Sequence, residues 1–364
     1  MLENPMDVNY LEISRGKLRR NAKAITEWVK VPVIGVLKCD GYGVTIGEAA
    51  QAWKEAGVTM YAVSEPAEAI RLRDEGFRED ILLLAPCADP MMIGVLLDRG
   101  IILTVSDEEN AALYVKTACG RPVRVHVAVD TGMGRFGVRW TDVEQLAEIY
   151  AMQGLQIEGI FSHFSASFEA EYHLTALQLE RFTKVTEALA ARGIKLGMRH
   201  IANTCAALRF RETWLDAVRI GSGLVGVLPC ECEVPLESVA VLKAQVVARK
   251  RLEAGDATGY ASVYRTPQTV DAVVVAIGHE VGFGLSDIPD NFSRRDLLRN
   301  VYHAVRDFKD NLYVTYEGRR LPLLGRAGTQ YSLFDASGTD IRPGDYVTST
   351  AKYMFPTTRR KLVD

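Results

Sequence analysis

Val33-Ile-Gly-Val-Leu-Lys38-Cys-Asp-Gly-Tyr42-Gly43 is an apolar strand that empties into a glycine-rich turn. Helical periodicity follows over residues 46–56, and a second apolar run comes at 60–63, so the segment reads as strand, helix, strand. The alternation continues through the first two-thirds of the chain. Short β-rich apolar runs recur at 33–37, 60–63, 81–84, 101–105, 123–129, 157–161, 198–202 and 217–220, and most intervening stretches, such as 67–76 and 174–193, have helical spacing. Eight strands alternating with helices predict a closed (β/α)8 barrel, with a doubly wound open sheet as the alternative. An additional helix over 17–29, with Ser14 as its cap, precedes the first strand.

After about Gly226 the pattern changes. Residues 238–247, 269–277, 311–316 and 346–348 read as strands, joined by turns such as Glu253-Ala-Gly-Asp256 and Arg342-Pro-Gly-Asp345. This predicts a barrel domain over 1–230 and a β-rich domain over 231–364. One helical insertion, near 285–310, interrupts the second domain: residues 294–309, capped by Ser293, place Leu297, Val301, Ala304, Val305 and Phe308 on one face.

With 43 Lys and Arg against 46 Asp and Glu, the net charge of -3 offers no basic surface for nucleic acid. Met1-Leu-Glu-Asn-Pro carries no basic segment followed by an apolar core, and no apolar run approaches the roughly 20 residues that span a bilayer. The reading is a cytoplasmic protein that binds neither membrane nor nucleic acid. Of six cysteines only Cys230 and Cys232 are close in sequence, without the four or so ligands that structural zinc requires, so no metal is expected.

Barrel enzymes build their sites where the strands end, and here the strand ends are rich in chemistry. The first ends at Lys38 with Tyr42 beyond it; the fifth runs into Asp130-Thr-Gly-Met-Gly-Arg135-Phe-Gly137; the sixth ends at His163. The seventh leads into Asn203-Thr204, and the eighth finishes as Val218-Arg219-Ile-Gly221-Ser222-Gly223. Taken alone, His163 reads as a core histidine and Arg219 as a structural ion-pair partner; together they line one mouth.

Such a set suits a phosphorylated aromatic cofactor that carries an aldehyde. Backbone N–H groups and hydroxyls of Thr204, Gly221 and Ser222 follow strands seven and eight, where barrels commonly hold phosphate. A lysine at the end of a buried strand loses hydration on its ammonium, which favours the neutral, nucleophilic amine. An imidazole such as His163 can stack on the ring. Arg219 is the sharper clue, because a guanidinium only donates. Facing a pyridine nitrogen it would keep that nitrogen unprotonated, weaken the ring as an electron sink, and favour α-proton exchange over transamination.

At these residues the chain resembles the alanine racemase family, fold-type III enzymes that use pyridoxal 5′-phosphate (PLP). The similar motifs are Val36-Leu-Lys38-Cys-Asp-Gly-Tyr42-Gly, Val129-Asp-Thr-Gly-Met-Gly-Arg135-Phe-Gly, Ser162-His163-Phe, Ala202-Asn203-Thr204-Cys-Ala, Val218-Arg219-Ile-Gly221 and Lys352-Tyr353-Met-Phe-Pro. The resemblance implies that Lys38 bonds the cofactor's aldehyde and serves as the first base. It places Tyr42, Thr204, Gly221 and Tyr353 around the phosphate, His163 beside the ring, Arg219 on the pyridine nitrogen, and Arg135 near the phenolic oxygen or the substrate. It also implies a homodimer whose second domains complete each site.

The departures from the family pattern fall on the substrate side. Where the family carries the tyrosine of its second base, this chain has Ile277-Gly-His279-Glu-Val-Gly282; where the family has Gly-Arg-Val-Cys-Met-Asp, it has Gly325-Arg-Ala-Gly328-Thr329-Gln330. Ala128 replaces a lysine that is often carbamylated. The expectation is a PLP-dependent amino-acid racemase with Lys38 and His279 as its bases, and with Thr329 and Gln330 offering polar contacts to a substrate that need not be alanine. Another fold-type III PLP enzyme (a decarboxylase, lyase or one-base epimerase) and a non-catalytic PLP- or amino-acid-binding protein are the alternatives.

Overall fold

The computed structural model describes residues 8–285, 294–307, 312–350 and 359–364. The chain divides into two compact units, one of Arg15–Val239 and the other of the described residues of Met1–Ser14 and Ala240–Asp364. The expected boundary after residue 230 therefore lies inside the first unit, and the N-terminal strand belongs to the second.

In the first unit, helix α1 (Arg15–Trp28) precedes eight parallel strands: β2 (Val33–Val36), β3 (Met60–Val63), β4 (Asp80–Leu83), β5 (Leu103–Val105), β6 (Val123–Asp130), β8 (Leu155–Phe161), β9 (Met198–His200) and β10 (Val218–Ile220). Two sheets, β10-β2-β3-β4 and β5-β6-β8-β9, are joined by single bridges from Leu82 to Ile102 and from His200 to Ala217. The ring of strands closes, as the alternation predicts. A short strand β7 (Val138–Arg139) pairs with the end of β6.

Every residue of β2 and β5 is buried, as expected for strands covered on both faces. Gly35 shows how tightly the helices pack on them: a Cβ there would come 2.7 Å from Cδ1 of the fully buried Trp53, in the helix Ile46–Glu55. Four of the helices that follow the strands start on acidic caps. Asp89, Asp107 and Asp142 accept from backbone N–H groups of the first turn, and Glu65 forms a capping box with Glu68. These aspartates set where each connection turns back toward the barrel.

The second unit is a mostly antiparallel sheet that incorporates the N-terminal strand, which pairs in parallel with the C-terminal strand. β11 (Ala240–Leu252) pairs over its first half with β1 (Asn9–Ser14) and β18 (Tyr346–Thr350), and over its second half with β14 (Val270–Val275). The register shift between Val246 and Ala248 lets one long strand serve both neighbours. β15 (Tyr313–Tyr316), β16 (Arg319–Pro322), β17 (Ser332–Asp335) and β19 (Arg360–Val363) complete the sheet, with a small hairpin of β12 (Ala257–Thr258) and β13 (Tyr264–Arg265) beside it. Val246, Val273, Val275, Val314, Phe334 and Val347 form its core. The helical insertion spans Arg294–Asp307; its expected cap Ser293 and its expected apolar residue Phe308 lie outside the described residues.

Asn21, 1% exposed on α1, ties the start of the first unit to its end. Its Nδ2 donates to Leu224 O at 2.9 Å and Glu237 O at 2.8 Å, and its Oδ1 accepts from Glu237 N at 3.0 Å. Asn21→Leu keeps the volume but strands one buried and two partly buried backbone groups, so it should lower stability by about 1–3 kcal/mol. Urea unfolding of the variant checks this; an unchanged midpoint would contradict it.

Candidate functional site

A cavity of about 380 Å³ opens at the C-terminal ends of the barrel strands. Lys38, Tyr42, Arg135, His163, Asn203, Thr204, Arg219 and Gly221, each singled out from the sequence, line it together, with Val36, Leu84 and Phe161 supplying apolar wall. Ser222 lies just beyond this lining. Three cations, Lys38, Arg135 and Arg219, face one space against a single carboxylate among the described residues, Glu65, so the lining is net positive and favours an anionic occupant.

The connection after β2 is unusual backbone. Cys39, Asp40, Gly41, Tyr42 and Gly43 all have φ between 54° and 88°, a left-handed turn that only two glycines adopt without strain. Asp40 holds it in place: its Oδ1 accepts from Ile46 N at 2.9 Å and pairs with Arg71 Nη1 at 2.7 Å. The turn carries Lys38, half-buried rather than fully buried, and sets its Nζ 5.7 Å from the Tyr42 ring centroid. Tyr42 in turn reaches β10, since a Cβ on Gly221 would strike its hydroxyl. Burial, followed by Cys39 and Glu68, raises the pKa of that phenol, so it stays a protonated donor.

Thr204 Oγ1 accepts from Gly221 N at 3.0 Å, joining the ends of β9 and β10 at the expected phosphate end. Asn203 also lines the cavity, but its amide is engaged within the protein. Its Oδ1 accepts from Ser167 Oγ at 2.7 Å and Ala206 N at 3.2 Å, and its Nδ2 donates to Phe164 O at 3.3 Å. It positions the short helix Thr204–Arg209 that carries Thr204.

Arg219 is 2% exposed and no carboxylate contacts it among the described residues. Its Nη1 donates to His200 Nδ1 at 2.7 Å and His200 O at 3.1 Å; its Nη2 donates to Ser162 O at 2.6 Å, Ile201 O at 3.2 Å and His163 Nδ1 at 3.2 Å. Its Nε makes no hydrogen bond among the described residues, while the side chain borders the cavity. Burial, then Arg135, pulls its pKa down to about 9, so it remains a cation at neutral pH.

The guanidinium dictates the protonation behind it. Because Arg219 only donates, His200 Nδ1 must accept, which puts the His200 proton on Nε2; that atom lies 2.8 Å from His126 Nδ1 and donates to it. Burial and Arg219 lower His126 to about 3 and hold His200 well below its usual value. Burial, then Arg219, Arg135 and Lys38, lowers His163 to about 3, so its Nδ1 is likewise free to accept. His200 also stacks on Phe161 at 5.1 Å, with Arg219 5.2 Å from the same ring centroid. The sequence reading missed His126 and His200. They stand 74 residues apart on β6 and β9, and only the alternation of inward-facing strand positions could have paired them.

Ala128 lies in the cavity wall, and Arg135 is exposed with its guanidinium 5.5 Å from the Phe136 ring centroid. In the second unit the expected substrate-side residues cluster by themselves. His279 N donates to Gly328 O at 3.0 Å and Glu280 N to Thr329 O at 2.9 Å, and a Cβ at Gly278 would run into the carbonyls of Gly328 and Thr329. His279 is half-buried, and Thr329 and Gln330 are exposed beside it. Tyr353 lies outside the described residues.

A sequence model of the alanine racemase N-terminal domain matches residues 13–229. An alanine racemase of Desulforamulus reducens is 36% identical over 285 residues, covering 75% of this chain and 76% of that protein. Another, of Carboxydothermus hydrogenoformans, is 30% identical over 345 residues, covering 92% and 88%. Among solved structures, an alanine racemase of Clostridium difficile 630 is similar with a TM-score of 0.85 at 23% identity, covering 99% of this chain and 97% of that one. That of Bacillus anthracis with bound L-Ala-P gives 0.82 at 25% identity, covering 98% and 95%.

The neutral histidines make the first unit acid-sensitive. Their folded pKa values lie below the unfolded value of about 6.5, so above that pH neither state is charged and stability is full. As pH falls through 6.5 the unfolded chain takes up protons first, and stability is lost. Between pH 7.5 and 5.5 His126 alone should cost about 1.4 kcal/mol, with His200 adding in the same direction. Urea unfolding at the two pH values checks this, and equal stabilities would contradict neutral buried imidazoles.

Proposed function

This chain belongs to the alanine racemase family, and from that premise we propose that it racemises a small amino acid by two-base α-proton exchange with PLP. The observation that carries the reading is Arg219: a buried, donor-only guanidinium held through Nη1 and Nη2, with no hydrogen bond on Nε among the described residues, in the wall of the cavity. The donor set fits PLP in each of its parts. Lys38 offers an amine, the joined ends of β9 and β10 with Tyr42 offer donors for a phosphate, and three cations balance an anionic group.

PLP, when bound, supplies an aldehyde that holds an amine covalently and a ring that acidifies the neighbouring carbon. Lys38 carries the cofactor and exchanges the α-proton on one face. Arg219, as a donor, would face the ring nitrogen and disfavour its protonation, which would restrain the ring from drawing charge far from the α-carbon. Tyr42, Thr204, Gly221 and Ser222 would hold the phosphate, with Tyr353 assigned there by the family resemblance alone; Asn203 positions Thr204, and neutral His163 would lie beside the ring. Arg135 meets the substrate carboxylate or the cofactor's phenolic oxygen.

His279 is the second base, exchanging the proton on the opposite face. An imidazole can take a proton at physiological pH without the strong perturbation that a phenol needs to serve as a base. Thr329, bound to the His279 turn through a backbone hydrogen bond from Glu280, and its neighbour Gln330 offer polar contacts that suit serine or a larger polar side chain. The resemblance to the family supports a cytoplasmic homodimer in which the β-rich unit of one chain completes the site of the other. No helix among the described residues is long and apolar enough to cross a membrane.

Loss of one base should be asymmetric. In heavy water His279→Ala is expected to lose exchange at the α-carbon of one enantiomer, the L form by analogy with the family's tyrosine, by about 10²–10⁴-fold, while exchange of the D form partly survives. NMR of the amino acid reads both rates. An active variant with both rates unchanged would remove His279 from the mechanism and turn attention to Tyr260 and Tyr264. Lys38→Ala should abolish borohydride trapping of PLP on the chain, and wild-type-like trapping in that variant would overturn the assignment of Lys38.

A further inference from the structure

Beside the cofactor cradle, outside the cavity lining, lie three cysteines that no step above uses. Cys205 is buried in the first turn of Thr204–Arg209, directly after the two cavity residues Asn203 and Thr204. Cys230 and Cys232 come from the turn that follows β10 and are half-buried. The Sγ atoms of Cys205 and Cys230 stand 2.7 Å apart, although the residues are 25 apart in sequence. Cys232 points elsewhere, with its Sγ 3.5 Å from Val234 O.

We propose that Cys205 and Cys230 are a reversible thiol–disulfide pair, closed by exchange with a small-molecule disulfide of the glutathione class and opened by its thiol. A covalent S–S bond is about 2.05 Å, so closure needs a movement of less than an ångström. The pairing is specific to these two: Cys230 has a second cysteine two residues away, yet its sulfur meets the one on the far helix.

Exposure sets the order of the steps. Cys230, the more accessible thiol, attacks one sulfur of the glutathione disulfide as its thiolate; a protein–glutathione disulfide forms and the first glutathione leaves as a thiolate that takes up the proton Cys230 lost. Cys205 then attacks Cys230 Sγ, the Cys205–Cys230 bond forms, and the second glutathione departs with the proton from Cys205. Two protein thiols are oxidised and one disulfide is reduced to two thiols. Burial, followed by the hydrogen bond from Cys230, raises the pKa of Cys205, which keeps it a thiol until its neighbour has reacted. Once closed, the bond anchors the start of the helix that carries Thr204 to the turn after β10.

The test reads thiols rather than turnover, so it stands apart from the racemase reading. The full chain is equilibrated in glutathione buffers of increasing oxidised fraction, quenched with N-ethylmaleimide under denaturing conditions, digested and mapped by mass spectrometry. Alkylated cysteines should fall from six to four as a single linked peptide joining Cys205 to Cys230 appears, two hydrogens lighter than its parts, and dithiothreitol should reverse it. Cys232→Ser should leave that peptide in place, and Cys230→Ala should abolish it. A Cys230–Cys232 link, glutathione remaining on Cys230 with Cys205 alkylated throughout, or loss of the linked peptide in Cys232→Ser would each overturn the proposal.

Discussion

The buried guanidinium of Arg219 is the constraint on which the rest of the site depends. A cation taken out of water is costly unless the protein replaces its hydration, and here it does so with carbonyl oxygens and imidazole nitrogens rather than a carboxylate. Those acceptors come from the ends of β8 and β9, so Arg219 on β10 draws three adjacent strand ends together at the mouth. Burial, reinforced by the same charge, keeps His200, His126 and His163 neutral, and their neutrality keeps the acceptors acceptors. A carboxylate beside Arg219 would have been the cheaper solution for folding, but it would have cancelled the positive potential that the cavity presents.

A second tension runs through the turn after β2. Five successive residues in the left-handed region cost stability, and the cost is tolerated because Asp40 clamps the turn to Ile46 and Arg71. The turn brings Lys38 and Tyr42 over the barrel and lets the Tyr42 hydroxyl reach the bare backbone of Gly221. Strain near the amine and an uncompensated cation across the cavity are two halves of one arrangement, and both are built within the barrel unit. Of the residues that depart from the family pattern, Ala128 lies in the cavity wall, and His279 with Thr329 and Gln330 lies in the other unit.

The barrel was legible because its strands are short, apolar and regularly spaced: all eight runs read from the sequence correspond to strands, with ends that differ by a few residues. The β-rich unit was less so. Arg319–Pro322 carries two arginines and a proline, and Ser332–Asp335 is bounded by polar residues, so neither has the apolar signature of a strand; each is held by its neighbours in the sheet. Asn9–Ser14 alternates correctly, but its partner Ala240–Leu252 lies more than 200 residues away, a pairing that no local pattern reveals. The cavity residues could be found because each sits at a strand end. His126 and His200 could not, since an inward-facing histidine on a strand looks like any core residue until the arginine that fixes its tautomer is seen beside it.

The claim that a pinned, donor-only guanidinium sets the chemistry can be tested on the cofactor itself. Reconstituting the protein with PLP labelled with nitrogen-15 in the ring and recording the nitrogen NMR shift reports whether that atom carries a proton. The account predicts the shift of an unprotonated pyridine in the wild type, moving toward that of a pyridinium in Arg219→Glu. A pyridinium shift in the wild type would contradict it.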